Sequence, residues 1–398
     1  MVTLKFGIAF IFAIILLVLR QDIWLVIAVL SLIVALLFKI PIDVVLQAFR
    51  EGILGRSTVR LILAVWLIIS FGEVLYRSGY LTRFVSSVEG IFRDQRLAFI
   101  MPSAIIGLLP MPSGAMLSAP LAEEIGKKLN VSREELTFFN YWFRHIWEYS
   151  WPLYPGLILA SAITGVPVWK IGLRQVPMVL VAVLIGIFLL MRRIPSVREV
   201  GEISVWKILD FVVVLWPIYV IVTLVMILRL DLIYGLSAVF LLVVLIYRTS
   251  LRDVLASLKK GFSWKIFLIL VSVMVFKSEL EVSGVMEHLP GEMVRWGFSP
   301  VVPLVLIPFL VGFLTGVNSA YIGVGFPVLM GILGENLDMI FIAYVSGFMG
   351  VLLSPAHLCL AVTKTYFRAD TAKLYRMLFP SVLALYSLFW LYMWIFRL

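Results

Sequence analysis

The sequence predicts an all-α polytopic membrane protein, an inverted repeat of two five-span halves, each with a re-entrant hairpin and an interrupted helix. The first observation is composition: 62% of the residues are hydrophobic and 14% are charged, whereas soluble domains are about half apolar and a quarter charged. The second is that several apolar runs reach the roughly 20 residues that a helix needs to cross a bilayer. The third is a matched pair of breaks within apolar sequence.

The apolar runs follow one another as ten predicted spans. These lie near 3–20, 22–38, 59–77, 138–165, 172–191, 210–228, 232–247, 264–282, 337–363 and 377–397. The first resembles a signal peptide after Lys5, but no small-residue cleavage site follows, so a retained span is expected. Because each half has an odd number of spans, the second half enters the membrane with the opposite orientation. The predicted domains are a first repeat at 1–191, a linker at 192–209 and a second repeat at 210–398.

Two further apolar stretches, about 97–120 and 299–333, contain too many Pro and Gly residues for a simple crossing. Each predicts a re-entrant hairpin, with tips in Gly107-Leu-Leu-Pro-Met-Pro-Ser-Gly-Ala115 and Gly312-Phe-Leu-Thr-Gly-Val-Asn-Ser-Ala320. A shift of 205 residues places the first segment on the second, with Ser113 on Asn318. Broken backbone at membrane depth must line a cavity or be covered by protein. A matched pair of breaks indicates the central site of a transporter.

The basic residues indicate a membrane topology rather than nucleic-acid binding. The net charge is +10, but Lys and Arg lie mostly in short loops between apolar runs. With both termini outside, the basic loops 192–207, 248–265 and 364–376 are cytoplasmic, whereas the basic segment 39–60 opposes this orientation. The first hairpin then enters from the cytoplasm and the second from outside. The expected location is the cell (inner) membrane, with the lipid bilayer as a partner and no nucleic acid.

Candidate substrate- or ion-binding residues lie at both hairpin tips. They are Pro112, Ser113, Gly114, Thr315, Asn318 and Ser319. Pro and Gly interrupt helical hydrogen bonding, which frees backbone amides and carbonyls for a ligand, and the hydroxyl and amide side chains can donate and accept. The alternatives are a simple kink at the first tip and helix–helix hydrogen bonding at the second.

Each half also contains a predicted break in a span. The first half has Trp151-Pro-Leu-Tyr-Pro-Gly156, and the second has Gly347, Gly350 and Ser354-Pro-Ala-His357. A helix end beside each hairpin tip would complete two half-sites that face each other. Tyr154, Ser354 and His357 are therefore candidate substrate contacts, and the alternative is that they are polar groups satisfied inside the bundle.

Arg144, His145 and Glu148 are candidate coupling residues. Arg144 and Glu148 are four residues apart, so they share a helix face and could pair. Charges at membrane depth are functional candidates, but at the start of a span the pair would be merely structural. His145 could titrate near neutral pH and serve proton coupling, or could simply pack.

With these residues in view, the chain resembles the ion transporter superfamily, which includes divalent anion/sodium symporters and citrate or gluconate permeases. The resemblance covers nearly the whole chain as architecture. Within the superfamily, Leu109-Pro-Met-Pro-Ser-Gly-Ala115 and Ser354-Pro-Ala-His-Leu-Cys-Leu360 resemble an uncharacterised family of ten-span integral membrane proteins.

The resemblance implies roles for the two tips. In sodium/dicarboxylate members, Ser-Asn-Thr motifs at the hairpin tips bind Na⁺ and the substrate carboxylate. Ser113-Gly114 and Asn318-Ser319 occupy those positions, which implies a Na⁺ site near Ser113 and Asn318, although neither tip carries a full Ser-Asn-Thr. Elevator-type alternating access and a homodimer are also implied.

The function expected from these patterns is secondary active transport of a small organic anion, a carboxylate, coupled to Na⁺ or H⁺. No enzyme activity and no cofactor besides the coupling ion are expected, since no Walker lysine loop or His-Glu-x-x-His motif occurs. One alternative is a cation/proton antiporter that uses His145, Glu148 or Glu73. A remote alternative is an intramembrane enzyme built on Ser354 and His357. The single Cys359 excludes an intrachain disulfide.

Overall fold

A computed structural model describes residues 2–80, 83–84, 87, 91–92, 94–109, 114–197, 205–284, 292 and 299–396, and their regular elements are helices. In chain order the helices are α1 (Val2–Val18), α2 (Ile23–Phe38), α3 (Ile42–Leu54), α4 (Arg56–Arg77), α5 (Gln95–Ile106), α6 (Gly114–Lys128), α7 (Arg133–His145), α8 (Pro155–Thr164), α9 (Val168–Arg193), α10 (Val205–Val214), α11 (Trp216–Val222), α12 (Leu232–Ile246), α13 (Leu251–Gly261), α14 (Trp264–Val282), α15 (Val301–Thr315), α16 (Asn318–Leu333), α17 (Leu337–Leu353), α18 (Leu358–Phe367) and α19 (Thr371–Ile395).

Several of these helices can cross a bilayer. Among the described residues, four helical stretches are long and apolar enough, and a fifth is added if a bent pair counts as one span. Other apolar helices have 10–17 residues, which is below or at the lower end of the length that spans hydrocarbon. The protein is thus all-helical and compatible with a multi-pass membrane protein, and the count of ten spans remains a prediction.

The bent pair lies at the span expected near 210–228. Helix α10 ends at Val214, α11 begins at Trp216, and a π-helical turn follows at Thr223–Ile227; the axis bends by 50°. Pro217 explains the bend, because proline lacks an N–H and its ring clashes with the carbonyl four residues earlier.

Two segments that the charge pattern assigned to loops are helices. Helix α13 lies within 248–265, where the Ser250 hydroxyl caps it by accepting from the Asp253 amide at 3.1 Å. Helix α3 lies within 39–60 and packs on α14, where a Cβ added at Gly52 would come 2.4 Å from the Val275 Cα. Each helix has a polar and an apolar face, and counting the charged residues of a segment does not detect that pattern.

The chain divides into two compact units, each of which takes segments from both halves of the sequence. Unit 1 comprises Met1–Val65, Pro155–Arg174 and Ser263–His357. Unit 2 comprises Trp66–Tyr154, Gln175–Phe262 and Leu358–Leu398. Unit 1 thus holds the second predicted hairpin, and unit 2 holds the described part of the first.

In unit 1, α15 packs on α17 through glycines. A Cβ added at Gly312 would lie 2.2 Å from the Gly347 carbonyl oxygen, and one at Gly350 would lie 2.2 Å from the Phe309 carbonyl oxygen. Such distances require bare backbone, so glycine permits the close approach.

The expectation that Gly347 and Gly350 interrupt a helix is therefore wrong. Helix α17 runs through both and ends at Leu353. An interior glycine costs a helix only about 1 kcal/mol, which close packing offsets. The break falls instead at Ser354, whose backbone is extended (ψ 124°), because the following Pro355 disfavours the helical conformation there.

In unit 2, a complete capping box starts α7. The Ser132 hydroxyl accepts from the Glu135 amide, and the Glu135 carboxylate accepts from the Ser132 amide. The helix then buries a stripe of aromatic rings, with Trp142 stacked on Phe138 and its indole N–H donating to the Ala182 carbonyl at 2.9 Å. These contacts fix the direction of α7 and therefore the positions of its last residues.

Candidate functional site

The first hairpin is described on both sides of its tip. Helix α5 ends at Ile106, and α6 begins at Gly114. Pro112 and Ser113, and with Ser113 the Na⁺ site predicted near it, lie outside the described residues.

Arg144 contacts both glycines that flank this tip. A Cβ added at Gly114 would lie 2.9 Å from its Nε and 3.0 Å from its Nη2, and a Cβ added at Gly107 would lie 2.6 Å from its carbonyl oxygen. The residue is 3% exposed. A buried guanidinium therefore lies directly against the first residue of α6, and any side chain at position 114 would displace it.

The break that follows α7 brings the Tyr154 hydroxyl close to Arg144. Helix α7 ends at His145, the chain turns through 146–154, and α8 begins at Pro155. At the end of the turn Tyr154 accepts from Arg144 Nη1 at 2.8 Å and donates to the Gly107 carbonyl. The break thus connects the guanidinium, the tyrosine and the end of α5 in one hydrogen-bonded chain.

His145 and Glu148 lie beside Arg144, and all three are buried. The Glu148 carboxylate is 3.8 Å from Arg144 Nη1 and 3.7 Å from His145 Nε2. His145 Nδ1 is 2.6 Å from the Tyr141 carbonyl; since a carbonyl only accepts, Nδ1 carries the proton. A ring nitrogen of His145 also lies within 4.8 Å of the Cys359 sulfur. The three predicted coupling residues therefore form one cluster in unit 2.

A buried polar chain that the sequence analysis did not identify runs beside this cluster. The Ser103 hydroxyl donates to Asn140 Oδ1 at 2.6 Å, and Asn140 Nδ2 lies 3.5 Å from the Thr363 hydroxyl. It links α5, α7 and α18. Because Asn140 and Arg144 are four residues apart, their common helix face was a signal that could have identified Asn140.

The second tip, in unit 1, is a sharp turn held by His357. Gly316 ends α15 with φ +65° and is followed by extended Val317. The Gly316 carbonyl lies 2.6 Å from His357 Nδ1, and a Cβ added at Gly316 would come 2.5 Å from the His357 amide nitrogen. His357 therefore supports the hairpin backbone.

The other predicted residues of unit 1 are partly engaged in local structure. The Thr315 hydroxyl donates to the Val311 carbonyl at 2.7 Å and accepts from the Val317 amide, and the Ser354 hydroxyl accepts from the Ala356 amide at 3.2 Å. Asn318 and Ser319 open α16 and are half-buried.

The start of α8 faces the second tip. A Cβ added at Gly156 would lie 3.4 Å from the Asn318 Cβ and 3.1 Å from the Tyr344 hydroxyl oxygen. The absence of a side chain at Gly156 thus permits close packing against Asn318, where a hydroxyl and an amide lie close to two helix starts. These oxygens lie beside the Na⁺ site that the sequence predicts near Asn318.

The two tips differ in chemistry. The tip in unit 2 offers a buried guanidinium beside a helix N-terminus, and both favour an anion. The tip in unit 1 offers the hydroxyl of Thr315, the amide of Asn318 and the carbonyl of Gly316, which are neutral groups. A carboxylate suits the first environment, whereas the second suits neutral or cationic groups.

Comparison with known proteins gives one family. The family model described as "Protein of unknown function (DUF401)" matches residues 3–396. The comparison with curated proteins found no match.

Proposed function

The chain belongs to the DUF401 family, and we propose that it is a secondary active transporter of a small organic anion, a carboxylate, coupled to Na⁺ or H⁺. It acts without enzymatic chemistry, by elevator-type alternating access, as a homodimer in the cell (inner) membrane with both termini outside.

The observation that carries this proposal is the position of Arg144. Its guanidinium is buried and pairs with the carboxylate of Glu148 at 3.8 Å. It also lies against Gly114, the residue at which α6 begins. A planar fork of donors at a helix N-terminus suits recognition of a carboxylate.

The order of helices supports the repeat that such transporters contain. A shift of about 205 residues brings α5 and α6 close to α15 and α16, and it brings α7 and α8 close to α17 and α18. An odd number of spans per half would invert the second copy, and broken helices at corresponding positions are typical of sites at the membrane midplane. The inverted orientation is part of the proposal.

The first test is ligand-induced thermal stabilisation of the purified protein against a panel of carboxylates, in Na⁺, in K⁺ and at two pH values. A ligand at 100 times its Kd adds about 2.7 kcal/mol to the folded state. Gradient-dependent uptake of the stabilising compound into proteoliposomes follows. If no carboxylate stabilises the protein and none is taken up, the proposal fails.

Arg144 is tested in the same assays. Arg144→Gln should abolish the stabilisation by the carboxylate, and Arg144→Lys should weaken it, because lysine keeps the charge but loses the planar fork. Arg174→Gln is the matched control: Arg174 is also partly buried and paired with a carboxylate, Asp338, at 2.8 Å. Retained carboxylate binding in Arg144→Gln would contradict the assignment.

A second candidate is cation/proton antiport, which the buried His145–Glu148 pair at 3.7 Å favours. It predicts proton release when Na⁺ is added to the purified protein in weak buffer. Carboxylate symport predicts no such release without the organic anion.

A further inference from the structure

A buried carboxylate outside both hairpin tips has one hydrogen-bond donor. Glu279 lies near the end of α14 in unit 1 and is 1% exposed. Its Oε2 accepts from the Ser31 hydroxyl of α2. Its Oε1 is buried and has no hydrogen-bond partner among the described residues.

The charged neighbours of Glu279 are engaged elsewhere. On α14, Lys277 pairs with Glu281 at 3.3 Å and donates to the Ala162 carbonyl. From α3, Glu51 accepts from Ser278 at 3.4 Å, and Asp43 and Arg50 are exposed. Helices α2, α8 and α16 also pack on α14, and they contain no charged side chain. Tyr321 is the titratable group of α16. Within the described residues Glu279 has no ion pair.

The equivalent helix of unit 2 provides a contrast. Glu73 on α4 is also partly buried, but it pairs with Arg77 at 2.8 Å and with Lys260 at 3.0 Å. Glu73 therefore has two cationic partners. Glu279 has a hydroxyl in their place, and a buried carboxyl without a counter-charge is stable when it binds a proton.

We propose that Glu279 is a proton-binding site of this protein, with Ser31 as its hydrogen-bond partner, and that its protonation supplies the coupling ion of the proposed transport. The chemistry is reversible: Glu279 Oε1 takes a proton from hydronium, which leaves a water molecule, and returns the proton to water. The coupling role rests on the proposed function, whereas the proton-binding site does not.

The test separates the two parts. Infrared difference spectra of the purified protein are recorded across a pH titration, without any organic anion, and the carbonyl band of a protonated carboxyl is followed. The wild type and Glu73→Gln should show a titrating band that Glu279→Gln lacks. Ser31→Ala should keep the band to higher pH, because the lost hydroxyl stabilised the charged form.

Several outcomes would overturn the proposal. The band could survive in Glu279→Gln, it could disappear in Glu73→Gln, or Na⁺ could abolish it at constant pH, which would assign the site to sodium. If Glu279→Gln does not fold, Ser31→Ala carries the test, and an unshifted titration contradicts the assignment.

The coupling role is read separately, in proteoliposomes. Glu279→Gln should lose uptake driven by a proton gradient and keep exchange of substrate across the membrane. If every uptake assay fails while the infrared band titrates as expected, the proposed function is refuted and the proton-binding site is not. Unchanged proton-driven uptake in Glu279→Gln refutes the coupling role.

Discussion

Tyr154 is the residue whose position explains most about the first tip. Its hydroxyl accepts from Arg144 and donates to the Gly107 carbonyl, so one oxygen joins the end of α7 to the end of α5 across the break. The sequence predicted Tyr154 as a substrate contact. The structure gives it a positioning role, which does not test direct contact with substrate.

Replacing Tyr154 with Phe should destabilise the protein by about 1–3 kcal/mol, because a buried carbonyl and a buried guanidinium each lose a partner. Thermal or denaturant unfolding in detergent measures the loss. Tyr366→Phe is the control, since the Tyr366 hydroxyl donates to Glu123 at 2.9 Å on an exposed surface. An equal loss of stability in the two variants would show that the Tyr154 hydroxyl stabilises the protein no more than an exposed hydroxyl does.

At the scale of elements, glycine has two uses that composition alone does not separate. Gly316 turns the chain with a positive φ, whereas Gly347 and Gly350 lie inside a continuous helix and admit a neighbour. The sequence predicted breaks at Pro155 and Pro355, and both lie at breaks. Other prolines lie inside continuous helices, namely Pro102, Pro120, Pro177, Pro308, Pro327 and Pro380, so a proline alone does not locate a break. Close approach depends on the partner helix, which the local sequence does not specify.

Gly347→Ala should destabilise the protein by about 1–3 kcal/mol, because the added methyl would lie 2.3 Å from a ring carbon of Tyr321. Gly72→Ala is the matched control: it lies inside α4, and no atom outside its own helix comes within 4 Å of the added Cβ. It should be neutral or stabilise by up to about 1 kcal/mol through helix propensity. Unfolding midpoints compare the pair, and a stabilised Gly347→Ala variant would contradict the packing.

At the scale of the whole molecule, the compact units cut across the order of the chain. Unit 1 takes α8 from the first half, and unit 2 takes α18 from the second. Each of these short helices follows a break, so each break is also the point at which the chain passes from one unit to the other. The topology in the membrane remains a prediction from the distribution of basic residues.

That topology is tested with single cysteines in a Cys359→Ser background. Ser57→Cys should react with a membrane-impermeant thiol reagent in intact cells, and Arg252→Cys should react only after permeabilisation, because the first lies outside and the second inside when both termini are outside. Both positions are exposed. The reverse pattern would invert the whole molecule, and reaction of both in intact cells would end the proposed count of spans.

The sequence by itself determined the all-helical, membrane-compatible character and the residue types at the two tips. These follow from composition and from local backbone chemistry, which a neighbour in space does not alter. Only the tertiary structure decided that Arg144 lies against Gly114, that His357 supports Gly316, and that Glu279 is buried with Ser31 while Glu73 is paired with two cations. Burial and charge compensation depend on residues distant in the chain, so identical side chains acquire different chemistry once the helices pack.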